Sequence, residues 1–278
     1  MKKITIIATH RTGSSRITSH FPSVANKQYN TNEIYSGYIP PLADDIKFIL
    51  ENPPIATSWI DFIVNITNKF HEQVKYHHLN LTYKMLGDLQ SVAEKIGYHY
   101  FITKILNPHI VCLDISTETL VKDSDFIIMN YRRNMLETFI SGELALYTKV
   151  YAGNPENKQQ YDAANYKIAW DKNKYDNFIH NSLIKGYDKW LPFVKNNNVC
   201  VLQYEKLAKI QNLTNLLNHI FNRWGIEDMI ISPSRHLKLN DQPMHTYIQN
   251  ANEFLQDIKK LSNEEIYYTK FDTEVFEW

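Results

Sequence analysis

The sequence predicts an α/β fold, an open parallel β-sheet flanked by helices on both faces, in a single domain over 1–278. Three observations predict it. Short β-branched runs that are apolar almost throughout, rather than alternating, mark strands buried on both faces. Between them lie longer segments with apolar residues at three- and four-residue spacing, the period of helices. Strands and helices alternate along the chain, the order that builds a parallel sheet through crossover connections.

Taken in order, the first strand is expected at 2–8, "KKITIIA", followed by a glycine-containing turn into a helix. Helical spacing then covers 57–76 and 88–97, with Thr57 and Asp88 as early caps. A second strand is expected at 98–106, "YHYFITKIL", and a third at 125–131, "DFIIMNY". The segment 134–149 reads as a helix with Asn134 at its start, and 174–195 as another. The strand 198–204, "NVCVLQY", precedes a helix at 205–224 whose "LLNHIFNRW" shows the apolar spacing plainly. The polar stretches 151–173 and 232–250 are too long for plain connections and are expected to be lids or substrate-binding insertions.

Composition bounds the partners. Hydrophobic residues make up 44% of the chain, enough for a full core. Lysine plus arginine equals aspartate plus glutamate at 30 each, so no global basic field exists to hold nucleic acid or an anionic membrane. Any anion site must therefore be local. Cys112 and Cys200 both lie in apolar runs, as core thiols of a reducing compartment do. No stretch reaches the roughly 18 apolar residues that span a bilayer. With a strand beginning directly after Met1, the expected location is cytoplasmic.

The chemistry gathers at two strand ends, and in open α/β sheets ligands sit beyond the carboxyl ends of the strands. "ATHRTGSSRI", residues 8–17, places two arginines, a glycine and four hydroxyls where the first strand turns into a helix. Glycine admits backbone close to an anion, and a helix start favours negative charge. It is no Walker loop, which needs a first glycine and a lysine. "NYRRNMLETFISGELA" places Arg133 at the end of the third strand and Ser141 eight residues later, about two helical turns on and on nearly the same face. An arginine and a hydroxyl so aligned can hold one phosphate. Arg132 is expected to point to the other side of the strand end and to take no part.

Together these strand ends resemble the two cofactor signatures of the sulfotransferases, P-K-S-G-T-T-W and R-N-P-x-D-x-x-x-S. "HRTGSSRI" is similar to the first and "RNMLETFIS" to the second. With "YRRN" and Ala145 four residues after the serine, the style is closest to bacterial trehalose-type enzymes. The resemblance covers roughly 3–224 and implies a P-loop-like sulfotransferase fold. It implies transfer of a sulfuryl group from 3′-phosphoadenosine 5′-phosphosulfate (PAPS) to a hydroxyl, leaving adenosine 3′,5′-bisphosphate (PAP), with no metal. Arg11, Thr12, Gly13, Ser14 and Ser15 would hold the 5′-phosphosulfate, and Arg133 and Ser141 the 3′-phosphate. Tyr204, in "VLQYEKL", would reach the adenine. Arg16 stands where relatives carry an adenine-stacking tryptophan, and Lys238 is the candidate replacement for a third cofactor loop.

For the base, the resemblance implies Glu33 in "NTNEIYSG". Lys104 and His109 are the alternatives; Leu106 stands where the cytosolic enzymes carry a histidine. Arg11 is the expected stabiliser of the leaving phosphate. His10 is a neighbour that tunes charge. The acceptor is expected to be a small hydroxyl compound, a sugar or a phenol, and a homodimer is left open. The rival readings are a non-catalytic descendant that only binds the nucleotide and, more weakly, a P-loop-type kinase. The kinase lacks its loop lysine and a strand-end aspartate. A serine hydrolase lacks G-x-S-x-G around Ser14, and a zinc site lacks ligand-spaced cysteines.

Overall fold

The computed structural model describes residues 1–9, 11, 14–21, 24–25, 28–30, 90–91, 93–94, 97–107, 116–148, 150, 158–159, 161, 165–210, 212–233 and 242–272. The helix expected over 57–76, the caps Thr57 and Asp88, and Cys112 lie outside them. The strands are β1 Lys2–Ala8, β2 Val24–Ala25, β3 Gln28–Asn30, β4 Tyr100–Leu106, β5 Phe126–Tyr131 and β6 Val199–Gln203. The helices are α1 Ser14–Thr18, α2 Thr117–Asp123, α3 Met135–Thr148, α4 Lys172–Phe178, α5 Lys185–Asp188, α6 Tyr204–Leu207, α7 Leu213–Arg223, α8 Ala251–Ile258 and α9 Asn263–Ile266. The fold is α/β, a parallel sheet flanked by helices. The chain divides into two compact units. The first comprises Met1–Ala8, His20–Ile128 and Thr214–Ser232; the second comprises Thr9–Ser19, Met129–Leu213 and Pro233–Trp278.

In the first unit the strand order is β2-β3-β4-β1, with the start of β5 next to β1. β1 runs parallel to β4, Lys2 opposite Tyr100 and Ala8 opposite Leu106, and β3 runs parallel to β4. β2 is an antiparallel edge on β3. Strands of two and three residues are too short to show a period, which is why the sequence did not reveal them. Ile6 and Ile7 are successive residues pointing to opposite faces of β1, and both are fully buried, as a strand covered on both sides requires. Thr5 is buried with them; its hydroxyl is 2.6 Å from that of Ser124. The backbone N–H of Lys3 donates to the Asp125 carboxylate, and that of Asp125 donates back to the Lys3 carbonyl.

Two helix ends in this unit close the same way. At the first, Tyr98 N–H donates to the Ala93 carbonyl and Gly97 N–H to that of Glu94; after α7, Ile226 N–H donates to Phe221 and Gly225 N–H to Asn222. These paired bonds need a left-handed residue at the penultimate position, met by Gly97 at φ +93 and Gly225 at φ +66. Phe126 then stacks on Trp224 with ring centroids 4.7 Å apart.

The second unit holds the end of β5 with β6 beside it, and a core made largely of aromatic rings. Tyr131, Tyr187, Tyr268 and Phe271 meet mostly edge to face, Tyr131 and Phe271 at 5.0 Å. Phe139, Trp170, Tyr175 and Phe254 form a second group. Each fully buried ring contributes about 1.5–3 kcal/mol in area terms.

The expected helix over 174–195 is interrupted by a π-helical turn at Ile179–Ile184. On either side of and within this turn, Tyr175, Ile179, Leu183 and Tyr187 are buried at every fourth position. In a pure α-helix a four-residue step overshoots a full turn by about 40°, so the stripe would wind off the core. The wider π turn brings it back. The expected helix over 205–224 is split into α6 and α7. Arg16 donates to the carbonyls of Leu207 and Ile210 at 3.1 and 3.4 Å, satisfying groups a continuing helix would have bonded internally. Among the described residues, no helix is long and apolar enough to cross a membrane.

A methyl group at Gly225 would meet nothing within 4 Å, so substitution there tests backbone conformation alone. Gly225→Ala should lower the unfolding free energy by about 1–2 kcal/mol, and Gly225→Asn by less, since asparagine tolerates the left-handed region. Denaturant melts should show a lower midpoint at unchanged slope.

Candidate functional site

The site is built where β5 ends and α3 begins, within the second unit. Two acceptors fix the start of α3. The Asn134 side-chain oxygen accepts from Glu137 N–H at 2.9 Å, as the sequence led one to expect of this cap. The Glu205 carboxylate accepts from the N–H groups of Arg133 and Asn134 at 3.1 and 2.8 Å. With its start fixed, α3 presents Glu137, Ile140 and Ser141 on one face through their three- and four-residue spacing.

Arg132 faces them, contrary to the expectation that it points away. β5 ends at Tyr131, and the next residue, Arg132, is buried at 5% exposure. Its guanidinium donates to the Arg11 carbonyl at 3.3 Å and to the Glu137 carboxylate, and lies 4.6 Å over the ring of Tyr204. Its Nε is buried with no hydrogen-bond partner. Its backbone N–H donates to the Tyr187 hydroxyl at 3.0 Å, which lies 3.1 Å from the hydroxyl of Thr9. Burial pushes the Tyr187 phenol well above its ordinary pKa, so this hydroxyl stays protonated.

Arg11 completes the cluster. Its φ of 64 is left-handed, a conformation that costs an ordinary side chain about 1–2 kcal/mol. From there its carbonyl accepts from Arg132 while its Nε donates to Ser141 Oγ at 3.1 Å. The two strand-end motifs singled out in the sequence thus meet through Arg11 and Ser141. Beside them lies a cavity of about 330 Å³ whose polar lining is Arg132, Glu137, Ser141, Gln242, His245 and Tyr247. Its other side is apolar, with Ile140, Met244 and Phe254. Residues 244–247 form a 3-10 turn within the long stretch 232–250.

The remaining candidates are placed as follows. Arg133 directs Nε to the Asp272 carboxylate at 2.9 Å, with its guanidinium 5.3 Å over Tyr267, and it is part-exposed. The structure does not bring its side chain to Ser141. Ser14 is buried at the start of α1, and Ser15 follows it. Arg16 ties α1 to the end of α6 through the carbonyls named above. Tyr204 lies under Arg132. Lys104 is buried in β4, in the first unit. Thr12, Gly13, Glu33, His109 and Lys238, with the neighbour His10, lie outside the described residues. No cluster able to hold a metal ion occurs among the described residues.

Sequence reasoning missed Arg132, Glu137, Gln242 and His245. The doubled arginine of "YRRN" and a carboxylate one turn before Ser141 were visible signals for the first two. For Gln242 and His245 only the length of the 232–250 stretch pointed to the region. What the group can do is hold an anion: the desolvated Arg132 guanidinium and the Ser141 hydroxyl line one cavity, with the Arg11 side chain bonded to Ser141.

No family model matches the chain, and no curated protein matches it in sequence. Among solved structures, a sulfotransferase from Alicyclobacillus acidocaldarius is similar over 93% of this chain and 91% of that chain, at 10% sequence identity and a TM-score of 0.45.

The Tyr187 hydroxyl pins the end of β5 to Thr9. Tyr187→Phe leaves the Arg132 N–H without its partner and should lower the unfolding free energy by about 1–3 kcal/mol. Urea denaturation should register this as a lower midpoint, with near-native far-UV circular dichroism before the transition.

Proposed function

We propose that this protein is a PAPS-dependent sulfotransferase. The observation that carries the reading is the 3.1 Å bond from Arg11 to Ser141, which joins the two segments whose sequences resemble the family's cofactor signatures. The buried Arg132 beside them suits an anionic ligand. In this reading Arg11, Thr12, Gly13, Ser14 and Ser15 take the 5′-phosphosulfate. Ser141 and Arg133 take the 3′-phosphate, Arg133 exchanging Asp272 for it. Tyr204, Arg16 and Lys238 belong to the nucleoside end, Tyr204 lying under Arg132 and Arg16 donating to the Leu207 and Ile210 carbonyls.

The reaction is an in-line displacement. The acceptor oxygen forms a bond to sulfur, the bond from sulfur to the bridging phosphate oxygen breaks, and PAP leaves. Positioning and charge stabilisation by arginine do most of the work, and one proton must leave the acceptor. Glu33 is the proposed base, with Lys104 and His109 as alternatives, and the acceptor is a small sugar or phenol. A descendant that binds the nucleotide without turnover is separated from an enzyme by assaying labelled-sulfate transfer alongside binding.

Because arginines neutralise the phosphates, PAP should bind in the presence of a chelator, as calorimetry would show. Ser141→Ala should weaken it by about 1–3 kcal/mol. Binding that vanished with chelator and returned with magnesium would favour the kinase reading instead.

Glu33→Gln should lower turnover by on the order of 10²–10⁴ while leaving PAP affinity within a few-fold. Full activity in that variant would move the base to Lys104 or His109.

A further inference from the structure

Arg132 poses a problem of charge. Its side chain is 6% exposed, whereas that of its partner Glu137 is 33% exposed at the cavity wall. A desolvated guanidinium cannot shed its proton and must keep an anion near it. A carboxylate one-third open to solvent can rotate into water at modest cost. The pair is therefore asymmetric: the cation is fixed, and the anion is exchangeable.

The surroundings specify what could replace the carboxylate. The Arg132 Nε has no hydrogen-bond partner. Ser141 lines the same cavity, and its Oγ accepts from Arg11, leaving its own proton to donate. Two donor groups thus line one cavity: the Arg132 guanidinium, whose N–H now goes to Glu137, and the Ser141 hydroxyl, which Arg11 polarises from behind. A carboxylate has two oxygens and uses one on Arg132. A tetrahedral phosphate monoester offers three terminal oxygens and up to two charges, and matches the donor set better.

We infer that the cavity beside α3 is a site for a phosphate monoester in which Arg132 is a direct ligand and Glu137 its built-in competitor, the incoming phosphate displacing the carboxylate from the same guanidinium. This deepens the sulfotransferase reading, and rests on it only for the identity of the monoester, the 3′-phosphate of the nucleotide. Arg133 alone does not account for that subsite, since its guanidinium lies with Asp272 and Tyr267. The device also gives selectivity: a weak monoanion gains little by displacing Glu137, whereas a dianion does.

The test removes the competitor without disturbing the helix. Glu137→Gln preserves the side chain's shape, and the cap on α3 uses the backbone N–H of residue 137, which the substitution leaves in place. Inorganic phosphate is titrated calorimetrically into the wild-type chain, Glu137→Gln, and the double variant Glu137→Gln with Arg132→Met, at one low ionic strength. PAP and adenosine 5′-monophosphate follow on the same proteins. Glu137→Gln should bind phosphate and PAP at least about tenfold more tightly than wild type, and the double variant should lose that gain. Glu137→Asp, whose shorter arm draws the carboxylate back while keeping its charge, should shift affinity the same way and serves if the glutamine variant does not fold. Phosphate affinity unchanged or weakened by both substitutions overturns the inference, as does a gain that survives loss of Arg132. PAP binding that is tight in wild type but indifferent to Glu137 leaves the sulfotransferase reading standing and removes this one. Tighter phosphate binding in Glu137→Gln, with no preference for PAP over the monophosphate, keeps the anion site and removes the sulfotransferase reading.

Discussion

A guanidinium taken out of water has to be compensated on every side, and in the second unit Arg132 imposes that demand on four elements. The turn after β1 supplies the Arg11 carbonyl, α3 supplies Glu137, α6 supplies the ring of Tyr204, and α5 supplies the Tyr187 hydroxyl that receives its backbone N–H. None of these partners is near Arg132 in sequence except Glu137. Placing them requires β5 to end at Tyr131 and α3 to start at a set angle, which the Glu205 carboxylate fixes by binding the first two N–H groups of the turn. The charge thus organises the neighbourhood from which an anion site can be made.

The aromatic core underneath holds this arrangement in place. Tyr131, Tyr187, Tyr268 and Phe271 pack against one another, and the hydroxyls of Tyr131 and Tyr268 reach Asp272 and Asp188 at the edge of the group. Rings of this size admit few rearrangements, because a close-packed interior responds to a small change with strain rather than flow. The same segment, 267–272, that buries Tyr268 and Phe271 delivers Asp272 to Arg133. Two adjacent arginines therefore meet different fates: one is clamped inside by the core's architecture, the other is held at the surface by the chain's last described turn.

In the proposed anion site, that division gives the two arginines different parts. A buried, permanently charged group gives strong and directional binding at the cost of needing a counter-charge when no ligand supplies one, and Glu137 meets the need from the cavity wall. A surface arginine paired with a carboxylate is weaker and more readily redirected. The left-handed backbone at Arg11 serves both ends of the cluster, its carbonyl turned to Arg132 and its side chain to Ser141.

The sequence by itself determined four of the six strands and the helix that carries Glu137 and Ser141. Continuous apolar runs located β1, β4, β5 and β6 to within a residue or two, since burial on both faces leaves a pattern that needs no tertiary context. The helix over 134–149 with its Asn134 cap was equally legible, because capping and helical spacing are local. The resemblance of motifs put Arg11 and Ser141 at different phosphates, with Arg133 as the partner of Ser141; the bond from Arg11 to Ser141 is a product of the fold. Tertiary structure alone decided the rest. The π turn at 179–184 and the split between α6 and α7 answer to packing and to Arg16, which lies nearly two hundred residues away from the carbonyls it caps. Which of two neighbouring arginines enters the core was likewise beyond the sequence: "RR" is symmetric in chemistry, and the choice is made by Glu137 and Tyr204 on one side and Asp272 on the other. A local pattern records the face a residue presents within its own element, whereas the partner of a charge is set by long-range contacts that no spacing encodes.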